Sequence, residues 1–286
     1  MKKAFQYDYD LSRLQKITTK RFGFDFLVTP RFRHHFAENA YEETTSLLIR
    51  QNARGVGVFI DVGAHYGFFD VLVGLANPQC KIIAFEPIPE NYSVLCRNLE
   101  EHSITASTRQ AAVSDHVGRG IFQKSEASDN SGFVANAAAG VLGEIEVDVT
   151  RLDQLLPEIG DDSVLIKIDT DGYEPKILAG MQELLKKCRD IRLVIELNPG
   201  GLATNGSQPE ELLHQLISLG FDIFFIDEEN QQYEKYQPGR DWKIMLGGRK
   251  TRNLFCLRRE QALNLCIFSH SASRAGAEQS LLNLVD

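Results

Sequence analysis

Four acids in this sequence, Asp61, Glu86, Asp169 and Glu196, stand where a short apolar run gives way to a turn. Carboxylates so placed can accept hydrogen bonds from a ligand's hydroxyls or take up a proton. The first lies in VFIDVGAHYGF, Val58 to Phe68, an apolar strand that ends on Asp61 and turns through Gly63 and Gly67 into a new helix. The second closes KIIAFEP about 25 residues later, the spacing of a strand-helix-strand unit that grips a ribose. The two glycines let backbone come close to a ligand, and Glu86 can accept hydrogen bonds from two ribose hydroxyls. These residues point to a nucleoside cofactor.

Charge narrows the choice. A pyrophosphate on a helix N-terminus needs a Gly-x-Gly-x-x-Gly turn and no carboxylate beside it, because two anions repel in a partly dry cleft. Here the turn is Gly63-x-x-x-Gly67, with Asp61 at its mouth. S-adenosylmethionine has no phosphate and carries an ammonium and a sulfonium, which an acid at that mouth can help to bind. The pattern favours a methyl donor over a nicotinamide dinucleotide. Asp61 can also cap the following helix, and both roles can hold at once.

These acids must be positioned by strands that alternate with helices. A helix is expected from Tyr41 to Ala53, strand one at Val56 to Asp61, an apolar helix from Phe68, and strand two at Lys81 to Glu86. Tyr92, Leu95, Cys96 and Leu99 recur at helical spacing and mark one buried face. A third strand is expected to end near Ala111-Ala112-Val113. Gly118 to Thr150 breaks the rhythm, and its alternating EIEVDVT and polar SEASDNSG suggest an inserted hairpin beside the cleft. VLIKID and IRLVIEL give strands four and five, a helix follows from Pro209 to Leu219, and FDIFFID and NLFCLRR complete a seven-stranded, doubly wound α/β sheet with helices on both faces. Residues 1–40 read as an irregular N-terminal extension, either a lid or a stretch packed on the core through Phe22, Phe24 and Phe26.

The chain has 286 residues, 43% of them hydrophobic, enough for one large domain with a substantial core. Its formal charge of −8, without a long block of like charge, argues against nucleic acid as a partner. Five scattered cysteines without a Cys-x-x-Cys pair read as reduced residues of a cytoplasmic protein. No run approaches the roughly 18 apolar residues of a membrane span.

In order along the chain, DVGAHYG, AFEPIPENYSVLCRNL, AAVSD, LIKIDTDGYEPKIL and VIELN resemble the FkbM-type S-adenosylmethionine methyltransferases over residues 41–260. The resemblance implies a Rossmann-like methyltransferase sheet and transfer of a methyl group to a hydroxyl, often on a sugar or polyketide. Carried over by position, Asp61, Gly63, His65 and Gly67 would line the cofactor, Glu86 would hold its ribose, and Ala112 and Val113 would flank its adenine. Glu42, in YEETT, matches an acid that would reach the cofactor ammonium. The chain departs from the family pattern at Asp171, where a glutamate is common.

Methyl transfer to an alcohol is an in-line displacement that needs an aligned oxygen and removal of its proton. Asp169, Glu196 and Asn198 occupy the ends of strands four and five, which face the cleft in an open α/β sheet. Asp169 or Glu196 could be a general base. Alternatively, Asp169, Glu196 and Asn198 could ligate Mg²⁺, as in the similar catechol-type O-methyltransferases, although Leu197 splits the acid-Asn pair here. Glu196 and Asn198 could also simply form the turn before Pro199-Gly200-Gly201. His65 is either a base or a residue that packs on the cofactor or bonds the backbone. Lys167, in a central strand, either pairs with a buried acid or snorkels, and His214 is structural.

After Arg258 the sequence changes. LNLCIFSHSASRAGAEQSLLNLVD, within residues 261–286, resembles the first strand, loop and helix of a retaining GT-B glycosyltransferase. One strand and part of a helix cannot bury their own faces, so the chain is expected to continue into such a domain, or else to pack a terminal helix on the sheet. A fused glycosyltransferase would make a saccharide or glycan the natural acceptor. A polyketide or other small-molecule hydroxyl, and a non-catalytic cofactor-binding domain, are the alternatives.

Overall fold

VFIDV, KIIAF, VLIKI and IRLVIEL are buried at nearly every position, as strands covered on both faces must be. The computed structural model describes residues 10–125, 132–133, 141–160 and 162–258. The chain opens with a hairpin of β1 (Gln15–Thr18) and β2 (Asp25–Val28), then a single π-turn at His34–Glu38. The helix α1 (Glu43–Ala53) leads into β3 (Val58–Val62), α2 (Phe68–Ala76), β4 (Lys81–Phe85), α3 (Pro89–Glu101) and β5 (Ala106–Arg109). A side sheet follows, of β6 (Ala111–Val113), β7 (Gly118–Ser125), β8 (Gly132–Phe133) and β9 (Val141–Thr150). Next come α4 (Leu156–Ile159), β10 (Val164–Ile168), α5 (Glu174–Ala179), α6 (Gln182–Lys187), β11 (Ile191–Leu197), α7 (Pro199–Thr204) and α8 (Pro209–Ser218). The described chain closes with β12 (Phe221–Asp227), β13 (Gln232–Lys235), α9 (Trp242–Leu246) and β14 (Arg252–Arg258).

The main sheet has eight strands in the order β13-β12-β14-β11-β10-β3-β4-β5. The run from β11 to β5 is parallel, and β14 is antiparallel to both of its neighbours. Strand order reverses between β3 and β10, so a crevice opens beyond their C-terminal ends. One face packs on α5, α6 and α8 through residues such as Leu178, Leu184 and Leu212. The other packs on α1, α2, α3 and the hairpin through Ile49, Leu72, Leu95 and Phe26.

The doubly wound α/β architecture is as expected, with two differences. A further strand, β13, extends the β12 edge as a hairpin. The third strand of the main sheet is Ala106–Arg109, whereas Ala111–Val113 pairs in parallel with β9. Strand β5 is half-buried along its whole length, so it lacks the apolar run that marks an interior strand. The apolar Ala112 and Val113 are instead buried under the side sheet and its neighbours.

The N-terminal segment is a packed hairpin rather than an irregular stretch. Phe24 and Phe26 are buried, and Phe22 packs edge-on against Phe68 at 6.2 Å. Asn98, fully buried on α3, accepts from Leu27 N and donates to Leu27 O and Tyr66 O, which ties the hairpin to the glycine turn. No helix among the described residues is long and apolar enough to cross a membrane. The glycosyltransferase-like stretch 261–286 and the polar loop residues 126–131 lie outside the described residues.

Candidate functional site

The turn after β3 has little slack. Gly63 has φ +83°, and a Cβ there would collide with the backbone oxygen of Asp169. Gly67 has φ +79°, and a Cβ there would collide with the Leu95 side chain. The glycines therefore serve the close packing of this chain on itself, a more local reason than approach to a ligand. The turn's amides are spent inside the protein. Gly63 N and Ala64 N both donate to Phe85 O, His65 N donates to Glu86, and Gly67 N donates to Ala64 O. Gly63, Ala64, His65 and Gly67 therefore offer no free N–H to cradle a phosphate.

Beside this turn lies a cavity of about 210 Å³. Glu86 stands in its wall, almost fully buried, at the end of β4. Oε2 accepts from His65 N at 2.9 Å, and Oε1 accepts from Ile88 N at 2.9 Å and Asn91 Nδ2 at 3.4 Å. Burial pushes the Glu86 carboxyl up to about 7 against these hydrogen bonds. Ala111, Ala112, Val113, Ile88 and Phe122 form an apolar slot next to it. Phe32, His35, Phe36 and Tyr41, all from the N-terminal segment, form an aromatic wall.

The acid side of the cavity is built at the end of β10 and in the loop that follows it. Asp169 lines the cavity and pairs through Oδ2 with Lys167 Nζ at 2.8 Å. Lys167 is 3% exposed and lies 4.8 Å over the Phe69 ring. Burial would lower the Lys167 ammonium, but the carboxylates of Asp169, Asp61 and Glu42 hold it above its ordinary range. It is thus a paired core cation that also reaches the cavity wall.

Asp61 is not at the turn's mouth. Register places it beside Lys167, below the turn, 1% exposed and outside the cavity lining. Its neighbour there is Asp70 of α2, fully buried, and no side-chain donor from elsewhere in the described chain hydrogen-bonds either carboxyl. Burial pushes Asp61 up to about 6 and Asp70 well above the carboxylate range, Asp70 further because of the Asp61 charge. A proton shared by the two relieves both. Asp70 was missed, although an acid inside the apolar FFDVLVGLA was a signal for a buried charge.

The loop after β10 is held by Glu174, whose Oε1 accepts from Thr170 N, Thr170 Oγ1 and Gly172 N. Asp171 lines the cavity with φ +51°. Asn198 donates to Asp171 Oδ1 and accepts from Gly201 N, so its amide is committed at both ends as a cap and a brace. Asn198 thus serves as a cap and a brace in this structure, and Lys167 already sits on Asp169 where a cation would bind. Among the described residues no group of three or more His, Cys, Asp or Glu is placed to hold a metal ion. The donor set expected for Mg²⁺ does not fit.

Glu196 and Glu42 do not line this cavity. They border a second, smaller one beyond Asp169. Burial pushes Glu42 up to about 7, with the Asp169 and Glu228 carboxylates adding to the effect against Lys167, and raises Glu196 well above its ordinary range. His65 does line the first cavity, at φ +50°, with its ring stacked on Tyr66 at 3.9 Å and edge-on to Phe32 at 4.9 Å. Burial drives its imidazole down to about 3, so it stays neutral and is a poor proton acceptor at neutral pH. The structure thus brings together Gly63, His65, Glu86, Ala112, Val113 and Asp169 around the first cavity and leaves Asp61, Gly67, Glu42 and Glu196 out of its lining.

With this geometry in place, comparison with known proteins adds the following. The Methyltransferase FkbM domain matches residues 61–223, more than half of the chain. Methyltransferase sdnD of Sordaria araneosa is 25% identical over 155 residues, 43% of this chain and 60% of that protein. Methyltransferase 1 of Beauveria bassiana (strain ARSEF 2860) is 25% identical over 144 residues, 43% of this chain and 58% of that protein. The chain thus spans about 60% of the length of these relatives. Among solved structures, the O-methyltransferase TomG from Streptomyces achromogenes, in complex with SAM, is 10% identical, with 77% of this chain and 81% of that chain covered at a TM-score of 0.42.

Proposed function

The chain belongs to the FkbM methyltransferase family, and from that premise we propose that it uses S-adenosylmethionine to methylate a hydroxyl, with a saccharide as acceptor. The observation that carries the cofactor reading is the turn itself. Its amides at Gly63, Ala64, His65 and Gly67 are internally satisfied, which disfavours a phosphate, while Glu86 keeps acceptor capacity beside the cavity, which suits a ribose. The carboxylates of Asp169 and Asp171 in the cavity wall suit a cationic ligand.

When bound, the cofactor would supply an electrophilic methyl group. Glu86 would accept from the ribose hydroxyls, and Ala112, Val113, Ile88 and Phe122 would flank the adenine. Asp169, held in place by the Lys167 ammonium, would face the acceptor and take its hydroxyl proton as the oxygen attacks. The aromatic wall of Phe32, Phe36 and Tyr41 would exclude water from the reacting atoms.

The saccharide reading is supported by the family resemblance and by the glycosyltransferase-like sequence of residues 261–286. That the protein continues into a glycosyltransferase, and acts in the cytoplasm on a surface polysaccharide, is part of the same proposal. The aromatic wall favours a second reading, a polyketide or other small-molecule hydroxyl. Calorimetric titration with S-adenosylhomocysteine beside NAD tests the cofactor class. Binding on the order of micromolar is expected for the first and none for NAD, and the reverse would overturn the reading.

A further inference from the structure

A second cavity, of about 140 Å³, has Glu42, Glu196, Glu228, Arg252 and Asn253 in its lining. We propose that this cavity is an acceptor subsite for a polyhydroxylated ring, a saccharide unit, and the inference rests on Asp169 facing the acceptor.

Register fixes its position. Ile168 pairs with Ile195, so Asp169 and Glu196 follow side by side, and Glu196 pairs with Asn253. By strand alternation, Glu196 and Asn253 share the sheet face of Val194 and Phe255, which is also the face of Leu165, Lys167 and Asp169. Asp169 thus lines the first cavity, and Glu196, its neighbour across the sheet, lines the second. Glu42 closes it from the start of α1, where Asn253 Nδ2 donates to Glu42 Oε2 at 2.8 Å. Glu42 is held there at φ +39°, a conformation that a non-glycine side chain rarely adopts.

The walls state the chemistry of the occupant. Glu42 and Glu196 supply acceptor oxygens. Glu228 does not, because it is committed to Thr44 N, Thr45 N and Thr45 Oγ1. Arg252 is 8% exposed and is anchored through its two terminal nitrogens to Met245 O and Asp227, yet its Nε is buried without a partner. A buried donor left unmet in a cavity wall calls for an acceptor on a ligand. An ammonium would satisfy the two acids and repel Arg252, and a phosphate or carboxylate would do the opposite. A ring of hydroxyls both donates and accepts, and so matches all three groups.

Saturation-transfer NMR on the full chain tests this, with the methyl glycosides of glucose, galactose and mannose as probes and cyclohexanol and cyclohexylamine as controls, S-adenosylhomocysteine being present throughout. Ring protons of at least one glycoside should receive saturation. Glu196→Gln should weaken that glycoside roughly 10-fold to 100-fold, and Thr251→Trp, which puts a large side chain at a residue of the cavity's lining, should abolish its signal. Calorimetric affinity for S-adenosylhomocysteine should not move in either variant, which shows that the first cavity and the fold are intact. The proposal is overturned if no glycoside receives saturation, if only cyclohexylamine does, or if the glycoside signal survives Thr251→Trp. Those results, with S-adenosylhomocysteine still bound, would leave the methyltransferase reading standing, whereas loss of S-adenosylhomocysteine binding by the wild-type chain would remove that reading first.

Discussion

Replacing Glu86 by Gln keeps size and shape and removes one oxygen and the charge. In the wild-type chain Oε1 takes Ile88 N and Asn91 Nδ2, and Oε2 takes His65 N, which leaves Oε2 room for a further donor. Whichever way a glutamine amide turns, its NH₂ meets a backbone N–H, either of His65 or of Ile88. The ribose hydroxyl that would use that end loses a charged acceptor, a loss of about 1.5 to 3 kcal/mol, or roughly 10-fold to 150-fold in Kd. The pH dependence gives a second handle. Burial raises the ligand-free Glu86 carboxyl to about 7, and donated ribose hydroxyls favour its ionised form. Wild-type affinity for S-adenosylhomocysteine should therefore rise as pH increases through about 7, with a proton released on binding below that value. The Gln variant should lose this Glu86 contribution. Calorimetry in buffers of different ionisation enthalpy reads both effects. A variant that binds within twofold of wild type, or that releases as many protons, would refute the assignment of Glu86 to the ribose.

Three further outcomes follow from the same geometry. Asp169→Asn should lower single-turnover methyl transfer by about 10²-fold to 10⁴-fold with S-adenosylhomocysteine affinity little changed, and near-normal turnover would take Asp169 off the proton path. Glu174→Gln keeps the oxygen that accepts from Thr170 and Gly172 and removes a buried charge. Because burial raises Glu174 from 4.5 to about 7, its stabilising neutral form is fully present below the unfolded value and is lost as pH rises through about 7. The variant should gain up to about 3 kcal/mol on wild type between acid and mildly alkaline pH in urea melts, and a constant difference would contradict this. Gly63→Ala should destabilise the fold by about 2 to 5 kcal/mol, since φ is +83° and a Cβ collides with Asp169 O. An unchanged thermal midpoint would show that the turn has slack.

Much of the architecture was legible because interior parallel strands write themselves as apolar runs. Val164–Ile168 and Ile191–Leu197 were found that way, and of the acids at their ends Asp169 lines the main cavity while Glu196 lines the smaller one. Ala106–Arg109 was missed because an edge strand, half-buried throughout, carries no such pattern. Lys167 was visible as a charge in an apolar strand, but its partner Asp169 depended on both side chains leaving the same face. Phe122 gave no signal, since only the pairing of β7 with β9 brings it over the apolar slot.

By itself the sequence determined the alternation of strands and helices, the tight glycine turn and the presence of acids at strand ends, all of which are local properties of spacing and residue type. Tertiary structure alone decided which acid does what. Sheet register turned Asp61 down towards Lys167 and Asp70, left Glu86 and Asp169 in the wall of one cavity, and set Glu196 beside Asn253 and Glu42 in another. Charge, burial and acceptor capacity at each carboxyl depend on neighbours far away in the chain, and no local pattern encodes those neighbours.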